Sequence, residues 1–421
     1  MRILAISNLY PPFHAGGYGV LCHRLCDCLL QAGHNVTVLT SVPKDYIPHP
    51  GGHQLNGSVH RELVFIETQN PVRVFWNTFR NKMTVSRHIR SLKPDLIYCF
   101  GIDGVGYQVY HTAVESGVPS VTVVGDTWLG QAWRDLLRFD SWQALAAGGD
   151  SGGRGRRLVK RLIGSMGRRM GLFIGTKPMS ARPVHAISSF LVDDLISAGM
   201  PWTPFCHLIK YPLCPPFVAS NGEPVGLDGS ISPCLRVLFV SRMEPLKGPE
   251  VAIRGVANAV KFGADVRLTL AGIGADNMIS HLHRLAEELE ISDRIRWAEA
   301  PSQEALVELY RAHDLFVFPS LIVEGLGIVC LEAMACGLPV VATGRGGQMD
   351  LVKEGQTGFL FEPGDVAKLS EILCKCASDR GLLEKLSCGA IGMASSYSSQ
   401  KVREEIEIWM KSALQAGAQQ R

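Results

Sequence analysis

Short aliphatic and β-branched runs alternate with segments whose apolar positions recur every three to four residues, and the alternation runs through the chain twice. In the front half Ile3 to Ser7, Val36 to Thr40, Leu96 to Phe100, Val121 to Val124 and Val184 to Ile187 are nearly continuous apolar runs, as expected of strands buried on both faces of a parallel sheet. Between the first two, Leu21, Leu25, Cys28 and Leu29 mark one helical face, and Gly33 is placed to cap it. A doubly wound α/β sheet is predicted. The pattern stops from Tyr211 to Pro233, where Pro212, Pro215, Pro216, Pro224 and Pro233 give a linker composition. It restarts with Val237 to Val240, Arg267 to Ala271, Ile295 to Trp297, Leu315 to Phe318 and Val340 to Thr343. In the tail, Val402, Ile406, Trp409, Met410 and Ala413 share one helical face, which predicts a terminal helix packed on the body. The expected plan is a Rossmann-like domain over 1–217, a linker over 218–233, a second Rossmann-like domain over 234–394 and a helical tail over 395–421. Ligands of open parallel sheets sit beyond the carboxyl ends of the strands, so two such sheets facing each other would enclose a cleft.

Composition narrows the class. Hydrophobic residues at 46% against 19% charged exclude a disordered scaffold. The first apolar run is too short for a secretory leader, and the long apolar stretch from Leu315 to Thr343 is interrupted by Glu324 and Glu332, so a soluble cytoplasmic chain without a membrane span is predicted. Twelve cysteines show no Cys-x-x-Cys and no Cys/His pairing at zinc-ligand spacing, and the thirteen histidines form no local cluster, so reduced thiols and no metal centre are expected.

The net charge of +3 conceals an asymmetry: residues 1–217 carry 22 Lys/Arg against 13 Asp/Glu, and the remainder 20 against 26. Seven of the front-half cations, Arg154, Arg156, Arg157, Lys160, Arg161, Arg168 and Arg169, fall in a stretch with no acid among them. From Ala146 to Lys177 the chain is rich in Gly and Arg, with Leu158, Leu162, Met166 and Met170 at four-residue spacing opposite the basic residues. This reads as a flexible loop leading into a basic amphipathic helix, either a solvated cap on the sheet or a segment for an anionic membrane surface. Without interleaved aromatics it does not suit nucleic acid.

Candidate chemistry falls at strand ends. Ala15-Gly16-Gly17-Tyr18-Gly19 follows the first strand and opens a helix, where glycines allow a phosphate close to the backbone. It is not the Gly-x-Gly-x-x-Gly dinucleotide fingerprint, and Thr40-Ser41 offers no acid for a ribose, which argues against a nicotinamide enzyme. After Val237 to Val240 comes Ser241-Arg242-Met243-Glu244-Pro245-Leu246-Lys247-Gly248, two cations five residues apart at a strand's carboxyl end, an arrangement suited to a diphosphate or to an ordinary charged surface. Pro319-Ser320 ends another strand, and Glu324 and Glu332 then flank Gly325-Leu326-Gly327-Ile328 with seven residues between them. A helix beginning near Gly327 leaves Glu324 in the preceding loop and puts Glu332 among Val329, Leu331 and Met334, where a carboxylate requires partners such as ribose hydroxyls or an internal pair.

With these motifs in order, the chain resembles the retaining glycosyltransferases of the GT-B fold, the glycogen-synthase-like and mannosyltransferase-like group, over nearly its whole length. The resemblance rests on the Glu, seven residues, Glu motif at Glu324 and Glu332, on Gly16-Gly17, on Arg242 with Lys247-Gly248, on Gly272-Ile273-Gly274, and on Gly346-Gly347 and Thr357-Gly358-Phe359. It implies a GT-B architecture with the acceptor on the first domain and a nucleotide sugar on the second. Glu324 would contact the transferred sugar, Glu332 the ribose, and Arg242 and Lys247 the leaving diphosphate, with the backbone of Gly325, Leu326, Gly327 and Ile328 approaching it and Gly16 and Gly17 letting the front domain close. No cofactor or metal is expected, and the acceptor would be lipid-linked or a polysaccharide. Three positions depart from the family pattern: Gly125-Asp126 where a histidine usually precedes, leaving Asp126 as the candidate for sugar contact; Asp350 for a customary Glu; and Tyr211-Pro212-Leu213 for an Asn-Gly turn. An inactive paralogue, a donor-binding partner subunit or a nucleotide-sugar epimerase of the same architecture are the competing readings.

Overall fold

The computed structural model describes residues 1–13, 17–42, 58–66, 70–102, 104–134, 165–167, 169–170, 172, 183–200, 206–217, 234–299 and 302–419. The chain divides into two compact units, Met1–Pro212 together with Val402–Arg421, and Leu213–Lys401. The terminal helix, expected as a tail, thus belongs with the first unit.

In the first unit the strands are β1 (Arg2–Ile6), β2 (Asn35–Ser41), β3 (Ser58–Leu63), β4 (Leu96–Cys99), β5 (Ser120–Val124), β6 (Val184–Ala186) and β7 (Cys206–Leu208), arranged β3-β2-β1-β4-β5-β6-β7 with every pairing parallel. All five runs read as strands are strands, and the central ones are buried residue after residue because helices cover both faces. The two unread strands, β3 and β7, are the sheet's edges. Each has one neighbour and partly exposed side chains, so neither displays the doubly buried apolar signature. The helix after β1 spans Gly17–Gln31, and Gly33 beyond it takes a φ of 84°, the left-handed conformation its position implied.

The second unit repeats the scheme with β8 (Leu235–Val240), β9 (Val266–Ala271), β10 (Ile295–Ala298), β11 (Leu315–Phe318), β12 (Val340–Thr343) and β13 (Gly358–Phe361), ordered β10-β9-β8-β11-β12-β13 and parallel throughout. The unread strand is again an edge. Its core joins Val237, Phe239, Leu268, Leu270 and Val317 from the sheet to Ile253 and Val256 of the helix Pro249–Lys261 and Leu369 and Leu373 of the helix Val366–Ser378. The two helices meet at Gly255, where a Cβ would lie 2.6 Å from Leu369 Cδ2.

At the start of the proline-rich stretch, ahead of the linker expected over 218–233, Tyr211, Leu213 and Phe217 are buried, and the Leu213 amide donates to Tyr397 O at 2.8 Å. Proline marks extended chain there, while the interleaved aromatic and aliphatic residues decide burial. Residues 218–233 lie outside the described residues, as do 146–164 and Arg168 of the basic segment. Of its apolar stripe, Met166 is exposed, whereas Met170 packs against a cluster of Val74, Phe75 and Leu172. No described helix is long and apolar enough to cross a membrane.

The terminal helix Ser399–Gln419 buries Val402, Ile406, Trp409 and Met410, four of the five positions read as its apolar face. The fifth, Ala413, lies outside the described side chains. Trp409 packs edge-on against His185 of β6 with ring centroids 3.7 Å apart. His185 is fully enclosed, its Nδ1 bonded to the Tyr98 hydroxyl at 2.6 Å and its Nε2 without a hydrogen-bond partner among the described residues. Burial first, and then the neighbouring His207, hold its pKa well below the ordinary histidine value. Its folded pKa lies below its unfolded one, so acid favours the unfolded state: stability is intact above pH ~6.5 and falls as pH drops below that value. Thermal midpoints followed from pH 7.5 to 5 should therefore decline, and His185→Leu should flatten the slope; an unchanged slope would place the acid sensitivity elsewhere.

Candidate active site

The site residues of the second unit sit on loops leaving the carboxyl ends of β8, β9, β11 and β12. A parallel sheet delivers all such loops to one edge, and here glycines bring them into backbone contact. A Cβ on Gly248, whose φ is +73°, would fall 2.1 Å from Pro319 O, and one on Gly272 1.9 Å from Ser241 O. A Cβ on Gly347 would fall 1.9 Å from Gly325 O. Only glycine permits these approaches. Hydrogen bonds complete the lacing: Gly347 N to Glu324 O at 2.8 Å, Leu321 N to Leu246 O at 2.9 Å, and Thr343 Oγ1 to Ser320 O at 3.0 Å.

This lacing places Lys247, at the end of the short helix Pro245–Lys247, against Glu324 from the β11 loop, with Nζ 2.6 Å from Oε1. Their side chains are only 14% and 18% exposed, so each is largely dependent on the other for charge compensation. Ser320 donates a hydrogen bond of 2.8 Å to the same Oε1. The sequence reading did not single out Ser320; its one signal was position, directly after a strand end. Arg242 is not part of this cluster: it is 54% exposed and pairs with Glu244 two residues along, Nη1 to Oε1 at 2.5 Å.

Gly327 takes a φ of 76° and caps the helix Ile328–Ala335, which is where the sequence placed its start. Glu332 is one turn in from Ile328 and 7% exposed. Burial, and then the Glu324 charge, push the Cys330 thiol on the same helix well above its ordinary pKa, which keeps it protonated and unreactive. A cavity of about 590 Å³ opens alongside, lined by Arg242 to Pro245, Ile273, Gly274, Ala275, Asn277, Met278 and His281. Lys247, Glu324 and Glu332 are not in its wall.

In the first unit Gly16 lies outside the described residues, and Gly17 is the first residue of its helix. Asp126 Oδ1 accepts the Trp128 amide at 2.9 Å and so caps the helix Trp128–Arg134. The glycine that precedes it has a structural cause. A Cβ at Gly125 would lie 2.9 Å from Leu21 Cδ2 and 3.1 Å from Tyr18 Cε2, and one at Gly101 would lie 3.2 Å from the same tyrosine ring. The Tyr18 hydroxyl donates to Val123 O at 2.5 Å and accepts from Gly125 N at 3.2 Å and Trp128 Nε1 at 3.0 Å. Leu21 and Tyr18 together therefore crowd the space beside β5 that a side chain at position 125 would need.

Two parallel-sheet units with glycine-laced loops at strand ends define the GT-B class of α/β proteins, and the comparisons agree. The model of "Glycosyltransferase Family 4" matches residues 15–205 and that of "Glycosyl transferases group 1" residues 234–391. The chain belongs to the GT-B glycosyltransferase family. A D-inositol 3-phosphate glycosyltransferase from Thermomonospora curvata is 36% identical over 162 residues, 37% of this chain and 37% of that protein. The match thus spans little more than a third of the curated relative. Among solved structures, Anabaena HepE in complex with UDP-glucose is similar over 98% of this chain and 100% of its own, with a TM-score of 0.64 at 19% identity. Sucrose-phosphate synthase from Thermosynechococcus elongatus is similar over 99% of both chains, with a TM-score of 0.68 at 18% identity.

The Gly347–Gly325 approach sets the position of Glu324. Gly347→Ala should displace that loop and cost about 2 kcal/mol, a fall in midpoint of roughly 4–8 °C in a unit of this size. Differential scanning calorimetry measures it; an unshifted midpoint would mean the loops are not held by this contact.

Proposed function

We propose that this chain is a retaining, metal-independent hexosyltransferase that moves a sugar from a nucleotide-activated donor to a lipid-linked or polysaccharide acceptor. The observation that carries the reading is the enclosed Lys247–Glu324 pair at the carboxyl ends of β8 and β11, with Ser320 on the same carboxylate oxygen. A largely enclosed cation paired internally is available to an arriving anion by exchange. The donor diphosphate takes Lys247 from Glu324 and Arg242 from Glu244, and Glu324 turns to the sugar hydroxyls.

Glu332 holds the ribose, and the amides of Gly325, Leu326, Gly327 and Ile328 meet the phosphates at the helix start. As the anomeric carbon–oxygen bond to the donor phosphate breaks, charge grows on the leaving oxygen, and the two cations stabilise it more in the transition state than in the bound donor. The acceptor oxygen bonds to the same face of the anomeric carbon and its proton passes to the leaving phosphate, which preserves configuration. Asp126 is the first unit's candidate for contact with the sugar. The sequence has no Asp-x-Asp motif, consistent with cations in place of a metal. A second acceptor, a phosphorylated inositol, is favoured by the name of the curated relatives.

Release of nucleoside diphosphate from a panel of nucleotide sugars, with and without polysaccharide, lipid-linked and inositol phosphate acceptors, tests the reading. Acceptor-dependent release with the anomeric configuration kept in the product supports it. Donor binding without release would instead make the chain a binding subunit, and donor epimerisation without acceptor would make it an epimerase. Lys247→Ala and Arg242→Ala should each lower kcat by roughly 10²–10³ with a smaller loss of donor affinity. Chelator should leave the rate intact; a rate abolished by chelator and restored by magnesium or manganese would refute the assignment.

Residues 154–169 are proposed to seat the chain on anionic lipid at the inner face of the membrane, at about 1 kcal/mol per surface-near cation. Flotation with anionic vesicles should fail for neutral ones, in high salt, and after Arg156, Arg157, Lys160 and Arg161 are changed to Gln. Equal flotation with both lipids would remove the idea.

A further inference from the structure

β3 is an edge strand hydrogen-bonded only to β2, and its residues alternate between faces as any strand's do. Arg61 points one way, its guanidinium donating to Tyr10 O at 3.3 Å and Pro11 O at 2.6 Å. His60 and Glu62 therefore share the opposite face. The helix Pro71–Leu92 packs on that face and contributes His88.

His60 Nδ1 stands 3.4 Å from Glu62 Oε1, His88 Nε2 stands 3.3 Å from Glu62 Oε2, and one ligand atom from each of the three residues falls within 4.8 Å of the others. Four ligands about 2.0–2.1 Å from a tetrahedral zinc ion are separated from one another by roughly 3.3 Å, and each imidazole already stands at about that distance from one of the two Glu62 oxygens. His88 is buried, and its Nε2 faces the Glu62 carboxylate at the centre of the cluster.

We propose that His60, Glu62 and His88 form a binding site for a divalent metal ion of the zinc class. Two imidazoles and one carboxylate favour zinc or cobalt over magnesium or calcium, which prefer all-oxygen shells. Three protein ligands leave a fourth position for water. Arg87, which also pairs with Glu62, is 61% exposed, so it can remain as an outer partner of the ligating carboxylate or turn into solvent. The ion would tie an edge strand of the first sheet to the long helix. The site is independent of the sugar-transfer reading, and sequence spacing concealed it because its two segments are separated by the 25 residues between Glu62 and His88.

The test is titration of the chelator-treated full chain with cobalt(II) in the visible region, with zinc as competitor and the thermal midpoint measured in parallel. The proposal expects one equivalent bound with the absorption of a four-coordinate nitrogen and oxygen site, displacement by zinc, a raised midpoint, and at least tenfold weaker binding in His60→Gln and Glu62→Gln. His88→Gln alters a buried position and can fail to fold, so the half-exposed His60 and Glu62 decide the matter. No cobalt binding, undiminished binding in those two variants, or sulfur-to-cobalt charge-transfer bands from thiolate ligation would each overturn it.

Discussion

Close backbone contact between successive loops is the constraint on which the second unit's site depends. Parallel strands all point the same way, so the loops after β8, β9, β11 and β12 crowd one edge and compete for the same space. Gly248 against Pro319, Gly272 against Ser241 and Gly347 against Gly325 resolve the crowding by omitting the side chain at each crossing. Once the backbones are that close, Lys247 and Glu324, 77 residues apart in sequence, have little freedom except to meet.

There two largely enclosed charges compensate each other, with the Ser320 hydroxyl as a further donor to the carboxylate. Such a pair suits a site whose task is to exchange an internal counter-charge for a ligand's. The first unit handles crowding differently, with a side chain in place of a missing one: Tyr18 occupies the volume beside Gly101 and Gly125 and satisfies three polar groups with one hydroxyl. The departure from the family pattern at Gly125 thus sits where Leu21 and Tyr18 pack closely against the backbone, a relation that a linear reading of Gly125-Asp126 does not contain.

Apart from the edge strand β10, the strands that the sequence identified are interior to their sheets, where enclosure on both faces demands apolar residues at nearly every position. β3, β7 and β13 escaped notice because an edge strand needs only half that signal. From Tyr211 to Phe217, ahead of the linker expected over 218–233, proline content reports backbone shape, whereas burial follows Tyr211, Leu213 and Phe217.

From the residues alone came the two α/β repeats, the helix start at Gly327, the interior position of Glu332 and the candidates Arg242, Lys247 and Glu324. Each of these is set by local periodicity, by glycine's conformational range or by spacing within one loop. What required the tertiary structure was every relation across distant segments: Lys247 with Glu324 and Ser320, Arg242 held apart by Glu244, Tyr18 behind Gly125, and His88 brought to His60 and Glu62. Side chains from different strands and helices meet only where the sheet's order and the packing of its helices place them, and that order is not written in any single segment.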